Sequence, residues 1–545
     1  MNGGDALVET LLAWGVDTAF SVPGESYLPI LAGLQRQRNR IRLITPRHES
    51  GVTFAAEAYG KIARKPAAAF VSRGPGATNA SIGIHTAAQD STPLLLFVGH
   101  VPTASKGREA FQEIDYHMMY GSIAKAVLEP QSPELIPDVT ARAAALSVAG
   151  RPGPVVVVLP KDIIEGDAGD VAIPEPRKRA TAGADPDAIA EAVRLIDSAR
   201  HPIVIAGEMV SFERASDALA EFAEASGAAV TAAYRRQDTL DNSHPAYIGH
   251  LEINRVPFQE EAWAECDLVI AVGSRLDGIS TQDFSMIRPD QKLIHIFPDR
   301  DVLARWPSDV AIASDVTPAL KALSEAVGRP DEARIAWRSR LHDAQVAFAV
   351  PGEVSVKGEV DMGEVVAAVN EAAPRESVIL TDSGTFARWV HRYYRFSRPG
   401  TQAGPMSGAM GYAVPGALGA AMAKPDAPIL AFVGDGGFLM TGQEMVAAVQ
   451  HNLPIKVVVC DNNAWGSILV SQQRRYGEAG EFATRIQSPD FAAVAKGYGA
   501  AAWKVTKTTE FTDAFAAALA HDGPALIHLC LDDRDISPFS AEAKV

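Results

Sequence analysis

Cysteine is scarce in this sequence, three among 545 residues. Cys266, Cys460 and Cys530 lie far apart and form no CxxC pair or Cys/His cluster, which argues against a cysteine zinc site and against a disulfide framework. Each sits in or beside an apolar run and reads as a small buried hydrophobe. No apolar stretch reaches the roughly 18 residues of a transmembrane helix. The opening MNGGDALVET lacks the basic and apolar regions of a secretory leader, so a reducing cytoplasm is the expected compartment. Positive charge is in deficit: 50 Lys and Arg against 66 Asp and Glu leave a net charge of −16. Such a surface offers no counterion-release drive toward nucleic acid and no polybasic patch for a membrane. It does not exclude an anionic cofactor, which local basic groups and backbone N–H groups can hold. Short-period repeats and low-complexity tracts are also missing.

What is there is an ordinary globular composition, 47% apolar and 21% charged, in a chain too long for one core; about three domains are expected. Residues 1–175 alternate short apolar runs, AAAFVS (67–72), PLLLFVGH (93–100) and PVVVVLP (154–160), with helical stretches such as 49–64. Strands alternating with helices imply a doubly wound α/β unit, a parallel sheet covered on both faces. Residues 165–187, rich in Gly, Pro, Asp and basic residues, read as a linker. A second α/β unit spans 188–340, with strands at 202–207, 267–274 and 292–297, and a second linker follows near 350–358. A third spans 359–545, with strands at 377–382, 427–434, 454–460 and 524–531 and a helix at 441–452.

The most informative stretch is APILAFVGDGGFLMTGQEMVAAVQHNLPIKVVVCDNNAWG, which reads as strand, tight turn, helix, strand, loop. Gly434, Gly436 and Gly437 permit positive φ and let backbone approach a ligand closely. The following helix turns free N–H groups toward an anion. Asp435 places a hard oxygen at the carboxyl end of a parallel strand, where ligands bind in such sheets. Asn462 follows 27 positions later, so adjacent parallel strands would bring both side chains to one rim. A carboxylate, an amide oxygen, a carbonyl and phosphate oxygens compose an octahedral Mg²⁺ site. GDG followed by Asn-Asn at this spacing resembles the fingerprint of thiamine-diphosphate-dependent enzymes. That resemblance implies Asp435, Asn462 and the carbonyl of Ala464 as metal ligands; Asn463 is the alternative to Asn462.

Residues FSVPGE (20–25), RHESGVTFAAEAYG (47–60), RGPGATN (73–79), DSTPLLLFVG (90–99), FQEID (111–115) and GRPGPVVVVLPKD (150–162) resemble the pyrimidine-binding domain of the acetolactate synthase group. Read alone, Glu49 is a helix N-terminal acid complementing the dipole. The resemblance gives it the role of activating the thiamine ring: a carboxyl on ring nitrogen N1′ favours the imino tautomer, whose nitrogen then takes the thiazolium C2 proton. Burial would keep such a carboxyl protonatable. By the same resemblance Phe111 and Gln112 face the reaction centre, and Pro23, Gly24, Gly74, Gly76 and Asn79 approach the cofactor. Gly384 and Thr385 contact the diphosphate, Met410 props the thiamine in its bent conformation, and Lys125 lies near the substrate entrance. His48, His85, His100 and His117 read as structural.

The chain departs from the acetolactate synthase pattern at Gly384-Thr385-Phe386, at His100, and at Ser467-Ile468 and Ser471, where that group carries Met-Val and then a Trp that helps choose the acceptor. The middle unit's first strand ends AGEMV, one glycine where an FAD site has a Gly-rich turn, so FAD is not expected although Arg275 is shared with FAD-binding relatives. The implied activity is thiamine-diphosphate-dependent 2-oxo acid decarboxylation with carbon–carbon bond formation. Simple decarboxylation or acyl transfer on the same cofactor, or a non-catalytic cofactor-binding protein, are the alternatives. The resemblance further implies a homodimer or dimer of dimers with its sites at the interface.

Overall fold

The β-branched and alanine-rich runs become buried parallel strands in the computed structural model, which describes residues 1–253 and 255–539. A first sheet comprises β1 (Thr18–Ser21), β2 (Arg42–Ile44), β3 (Ala68–Val71), β4 (Leu94–His100), β5 (Ala126–Leu128) and β6 (Pro154–Pro160). A second comprises β7 (Pro202–Ala206), β8 (Ala229–Ala232), β9 (Tyr247–His250), β10 (Leu268–Val272), β11 (Lys292–Phe297) and β12 (Val310–Ala313). A third comprises β13 (Val378–Thr381), β14 (Gln402–Ala403), β15 (Ile429–Gly434), β16 (Ile455–Asp461), β17 (Ala501–Val505) and β18 (Ala525–Cys530). The apolar runs read above as strands are strands; what the patterning does not single out are short or edge strands such as β5, β12 and β14.

The first sheet runs β2-β1-β3-β4-β6-β5 and the third β14-β13-β15-β16-β18-β17. Renumbered from its own first strand, each reads 2-1-3-4-6-5: one topology used twice, without a repeat visible in the residues. The second sheet runs β12-β11-β10-β7-β8-β9, a doubly wound order that reverses between β7 and β10.

Three domains were the expectation, and each has its own sheet, yet the chain packs as two compact units. One joins residues 1–179 to 378–387 and 403–533; the other joins 180–377 to 388–402 and the described residues from 534 on. In the first unit the helix Glu49–Ala63, which connects β2 to β3, packs on the helix Ala413–Ala423, its topological counterpart between β14 and β15. Small residues make this close crossing possible: a Cβ at Gly419 would lie 1.9 Å from the Ala55 carbonyl oxygen. The interface also buries charge. Lys61 Nζ lies 2.7 Å from Asp90 Oδ1 and 3.3 Å from Glu57 Oε1, Thr92 donates to Glu57 at 2.8 Å, and Lys61 also donates to the Gly404 carbonyl at 2.9 Å. A buried cation with two carboxylates and further hydrogen bonds meets the condition under which buried charge is tolerated.

In the second unit, Asp238 accepts from the N–H groups of Gly400 and Thr401 at 2.8 and 3.0 Å, which holds the returning segment 388–402. Arg334, on the helix Glu332–Phe348, donates to the carbonyls of Ser226 and Ile196 at 2.8 and 3.1 Å. Among the described residues no helix is long and apolar enough to cross a membrane.

Candidate active site

In a parallel sheet, side chains just beyond the carboxyl ends of the strands share one rim, and the rim opens where the strand order reverses. In the first sheet that point lies between β1 and β3; Pro23 and Gly24 follow β1, and Gly74 and Gly76 follow β3. In the third sheet it lies between β13 and β15; Gly384 and Thr385 follow β13, Asp435 follows β15, and Asn462 and Ala464 follow β16 on the far side of β15. The repeated topology thus places the two groups of candidate residues at equivalent edges.

Asp435 is the first residue of the helix Asp435–Thr441 and is 4% exposed. Gly434 pairs with Cys460 across β15 and β16, so Asp435 and Asp461 emerge side by side. The Ala464 N–H lies 3.2 Å from both Asp435 Oδ2 and Asn462 Oδ1. A carboxylate and an amide oxygen therefore converge on one point. Asn463 turns away: its φ is +55°, its side chain accepts from the Ser488 N–H at 3.2 Å and its carbonyl from Ile486 N–H at 3.0 Å. Burial, together with the neighbouring Asp461 carboxylate, raises the pKa of Asp435. Asp461 is also buried, but His528 and Ser488 hydrogen-bond it at 2.8 and 2.7 Å and hold it below the usual carboxylate range. Burial opposes charge on His528, yet the bond to Asp461 prevails and lifts it to about 9. Two buried acids side by side, with the His528 cation beside one of them, make an electrostatic environment that a divalent cation would relax, and the oxygen donors suit Mg²⁺.

The glycines of this turn act differently from expectation. Gly434 has φ −75°, and neither Gly436 nor Gly437 is among the positive-φ residues. Their role is space. A Cβ at Gly436 would meet the Trp465 ring at 2.1 Å, and one at Gly437 would lie 3.3 Å from Asp382 Oδ2. Trp465 thus packs the 462–465 loop onto the start of the helix. Asp382 is fully buried and accepts from the N–H groups of Ser383, Gly411 and Ala413 at 2.6, 3.0 and 3.1 Å. It ties the Gly384-Thr385 turn to the segment carrying Met410, which is half-buried. Asp382 and His528 were not singled out from the sequence; a charged residue ending one apolar strand and a histidine inside another were the available signals.

Glu49 opens the helix Glu49–Ala63, with His48 as its N-cap. Asn79 donates to Glu49 Oε2 at 2.9 Å, and a Cβ at Gly76 would lie 3.3 Å from Glu49 Oε1. The structure thus brings Glu49, Gly76 and Asn79 together. Glu49 is half-buried rather than buried, and Asn79 is exposed. Gly74 has φ +53°, donates to the Tyr116 hydroxyl at 2.8 Å, and leaves room for the Gln112 carbonyl, which a Cβ would meet at 2.8 Å. Gln112 itself has φ +64°, and the neighbouring Phe111 is 75% exposed. Gly24 lies against Ser72, whose Cβ a side chain at position 24 would meet at 2.7 Å. The Lys125 ammonium is tied to the carbonyls of Ala149 and Arg151. Glu444 was not anticipated: fully buried, it accepts from the N–H groups of Arg47 and His48 at 2.9 to 3.0 Å. The Glu49 and Asp435 carboxylates share no hydrogen-bond partner among the described residues.

Three family models match the chain, each over part of one sheet-bearing segment. The thiamine pyrophosphate enzyme N-terminal TPP binding domain matches residues 1–119, the central domain 189–323, and the C-terminal TPP binding domain 382–529. The large subunit of acetolactate synthase isozyme 2 of Escherichia coli K12 is 30% identical, over 98% of this chain and 96% of that protein. A probable acetolactate synthase large subunit of Methanocaldococcus jannaschii is 29% identical, over 99% of this chain and 93% of that protein. A thiamine diphosphate-dependent 4-hydroxybenzoylformate decarboxylase of Rhodococcus jostii has the same fold, with TM-score 0.86 at 23% identity, over 98% of this chain and 99% of that one. The chain belongs to the thiamine-diphosphate-dependent enzyme family, in its acetolactate synthase-like group.

Proposed function

We propose that the protein decarboxylates a pyruvate-like 2-oxo acid and joins the remaining fragment to a second carbonyl compound, using thiamine diphosphate held through Mg²⁺. The observation that carries this reading is the convergence of Asp435 Oδ2 and Asn462 Oδ1 on one N–H, in a chain that also sets Glu49 at the head of a helix beside Gly76 and Asn79. Bound thiamine diphosphate would supply the nucleophilic carbon and the electron sink that 2-oxo acid cleavage requires.

The chain's own residues have distinct tasks. Asp435, Asn462 and the Ala464 carbonyl would hold Mg²⁺, with the diphosphate completing its oxygen shell. Gly434, Gly436, Gly437, Gly384 and Thr385 would line the diphosphate, and Met410 would support the ring system. Glu49 would hold and exchange a proton at the pyrimidine nitrogen. Pro23, Gly24, Gly74, Gly76 and Asn79 would pack around that ring, with Gln112 facing the reacting carbon. The motifs lie on two separate domains, which the resemblance to the acetolactate synthase group joins across subunits, so we place each complete site between two copies, in a homodimer or dimer of dimers. Three free cysteines suit a reducing cytoplasm.

The test is CO₂ release from a panel of 2-oxo acids by the Mg²⁺ and thiamine diphosphate-loaded protein, with mass spectrometry of the products. Acetohydroxy acids from pyruvate are the expected outcome; free aldehyde alone would replace carboligation by simple decarboxylation. Glu49→Gln should abolish turnover with the cofactor still bound, and unchanged turnover would refute its role. Asp435→Ala should lose Mg²⁺-dependent cofactor binding, and wild-type affinity would refute the metal assignment.

A further inference from the structure

Beyond that reading, we propose that His250, Glu252 and His391 form a site for one divalent transition-metal ion of the zinc class. His250 ends β9, Glu252 stands two residues later, and His391 lies on the helix Ala387–Tyr393. Nothing in the sequence spacing announces the cluster; the fold of the second unit assembles it.

The geometry is close to that of a three-ligand site. Glu252 Oε1 lies 2.6 Å from His391 Nδ1 and 3.6 Å from His250 Nε2, and the three ligand atoms all fall within 4.8 Å of one another. Ligands at about 2.0–2.2 Å around a tetrahedral zinc stand roughly 3.4 Å apart, so admitting the ion requires His391 and Glu252 to separate by less than about 1 Å. The two imidazole rings, 5.8 Å apart between centroids and inclined at 82°, are separated as two rings aimed at a common centre would be. The residues are 9%, 5% and 3% exposed in chain order.

A second observation points the same way. His250 Nε2 is buried and within hydrogen-bond distance of no group, its ion-pair partner Glu252 Oε1 standing 3.6 Å away, an arrangement that costs free energy unless something is bound there.

The surroundings limit what the ion would be. Arg388 Nε lies 3.5 Å from Glu252 Oε2, which leaves Oε1 as a monodentate ligand. Arg235 acts electrostatically on His391, and the Tyr234 ring stands edge-on at 6.3 Å. With one carboxylate and two guanidinium groups at hand, a divalent ion would leave excess positive charge, so its fourth ligand should be hydroxide or a small anion. Two imidazoles with one carboxylate favour Zn²⁺, Co²⁺ or Fe²⁺ over Mg²⁺, which distinguishes this cluster from the all-oxygen set around Asp435. Its effect would be to clip the end of β9 to the Ala387–Tyr393 helix.

The test uses tag-free, full-length protein stripped with a chelator and then saturated with Mg²⁺ and thiamine diphosphate, so that the oxygen site is filled. Titration with Co²⁺ should give one equivalent per chain with the visible bands of four-coordinate cobalt, displaced by one equivalent of Zn²⁺. His250→Gln and Glu252→Gln should each weaken Co²⁺ by about 100-fold, with circular dichroism reporting their folding. X-ray absorption at the zinc edge of the wild type, which needs no variant, should show two imidazole nitrogens. No Co²⁺ uptake, uptake untouched by either folded variant, or a zinc edge without imidazole would overturn the proposal. So would stabilisation of the cluster by sulfate alone, which would make it an anion site.

Discussion

Replacing Glu444 with glutamine should change how stability depends on pH. Glu444 is fully buried, and burial raises its pKa from 4.5 to about 7 even though the N–H groups of Arg47 and His48 and the Arg47 charge oppose the rise. A carboxyl whose folded pKa exceeds its unfolded one adds stability below the unfolded value, and that stability is lost as pH rises through the folded value. The window is therefore pH 4.5 to about 7. Each pH unit of displacement corresponds to about 1.36 kcal/mol, so between pH 5 and 8 the wild type should lose roughly 2–3 kcal/mol that Glu444→Gln cannot lose. Glutamine keeps one acceptor but turns its amide toward a donor, a constant cost of roughly 1–2 kcal/mol. For a unit of this size about 1 kcal/mol moves the melting temperature by roughly 1–2 °C. The advantage of wild type over variant should thus shrink by roughly 4 °C from pH 5 to pH 8 in scanning calorimetry of the cofactor-free protein. Subtracting the variant cancels the titration of every other group. A difference flat to within roughly 1 °C would mean that Glu444 does not titrate in this window and that its burial is not as described.

Three further outcomes follow from close contacts. Gly419→Ala places a methyl 1.9 Å from the Ala55 carbonyl and should destabilise the first unit by about 3 kcal/mol, at the upper end for overpacking, read as a lower melting temperature. Lys61→Met leaves Glu57 and Asp90 buried without their cation and should cost about 3–5 kcal/mol; a melting temperature within roughly 1 °C of wild type would show that the cluster relaxes by protonation. Gly436→Ala drives a methyl into the Trp465 ring, so Mg²⁺-dependent binding of thiamine diphosphate should weaken about 10- to 100-fold, the range for disturbing the support of metal ligands. Trp465 emission should shift with it, and unchanged affinity would mean that the loop tolerates the displacement.

The residues made the architecture legible wherever hydrophobicity was uninterrupted. Runs such as PVVVVLP and IKVVVC could only be buried parallel strands, and the turn between Gly434 and Gly437 stood out by composition. β14, two residues long, carries no pattern at all, and β17 lies at the sheet edge with only some of its side chains buried, so neither could be read. The union of the first and third segments into one unit was hidden for a different reason. It depends on which small residue meets which backbone atom, as Gly419 meets Ala55, and one sequence does not reveal such pairings. In the candidate site, the spacing of Asp435 and Asn462 indicated the rim they share. Strand register favoured Asn462 and left Asn463 as the alternative; the bonds from Ser488 and Ile486 that occupy Asn463 come from residues some 25 positions away. Glycine at 436 was expected for its dihedral freedom and is there for its lack of a side chain.

Glu444 also connects the two groups of site residues within one chain. From Asp435, the helix Asp435–Thr441 leads through one short turn to Glu444, whose carboxylate holds the N–H groups of Arg47 and His48, immediately before Glu49. A shift of the Asp435 turn would be transmitted along this helix to the backbone that aims the Glu49 carboxyl. If each complete site takes Asp435 from one copy and Glu49 from the other, as proposed, these two groups of one chain belong to different sites. One route between the two sites of such a dimer would then run through Glu444. The physical requirement for coupling is an element that both sites bias, and a buried carboxylate with backbone bonds to one half-site and a covalent helix to the other would meet it if both sites bias its arrangement. On this reasoning Glu444→Gln should leave each site's chemistry intact and change how occupancy of one site affects binding at the second.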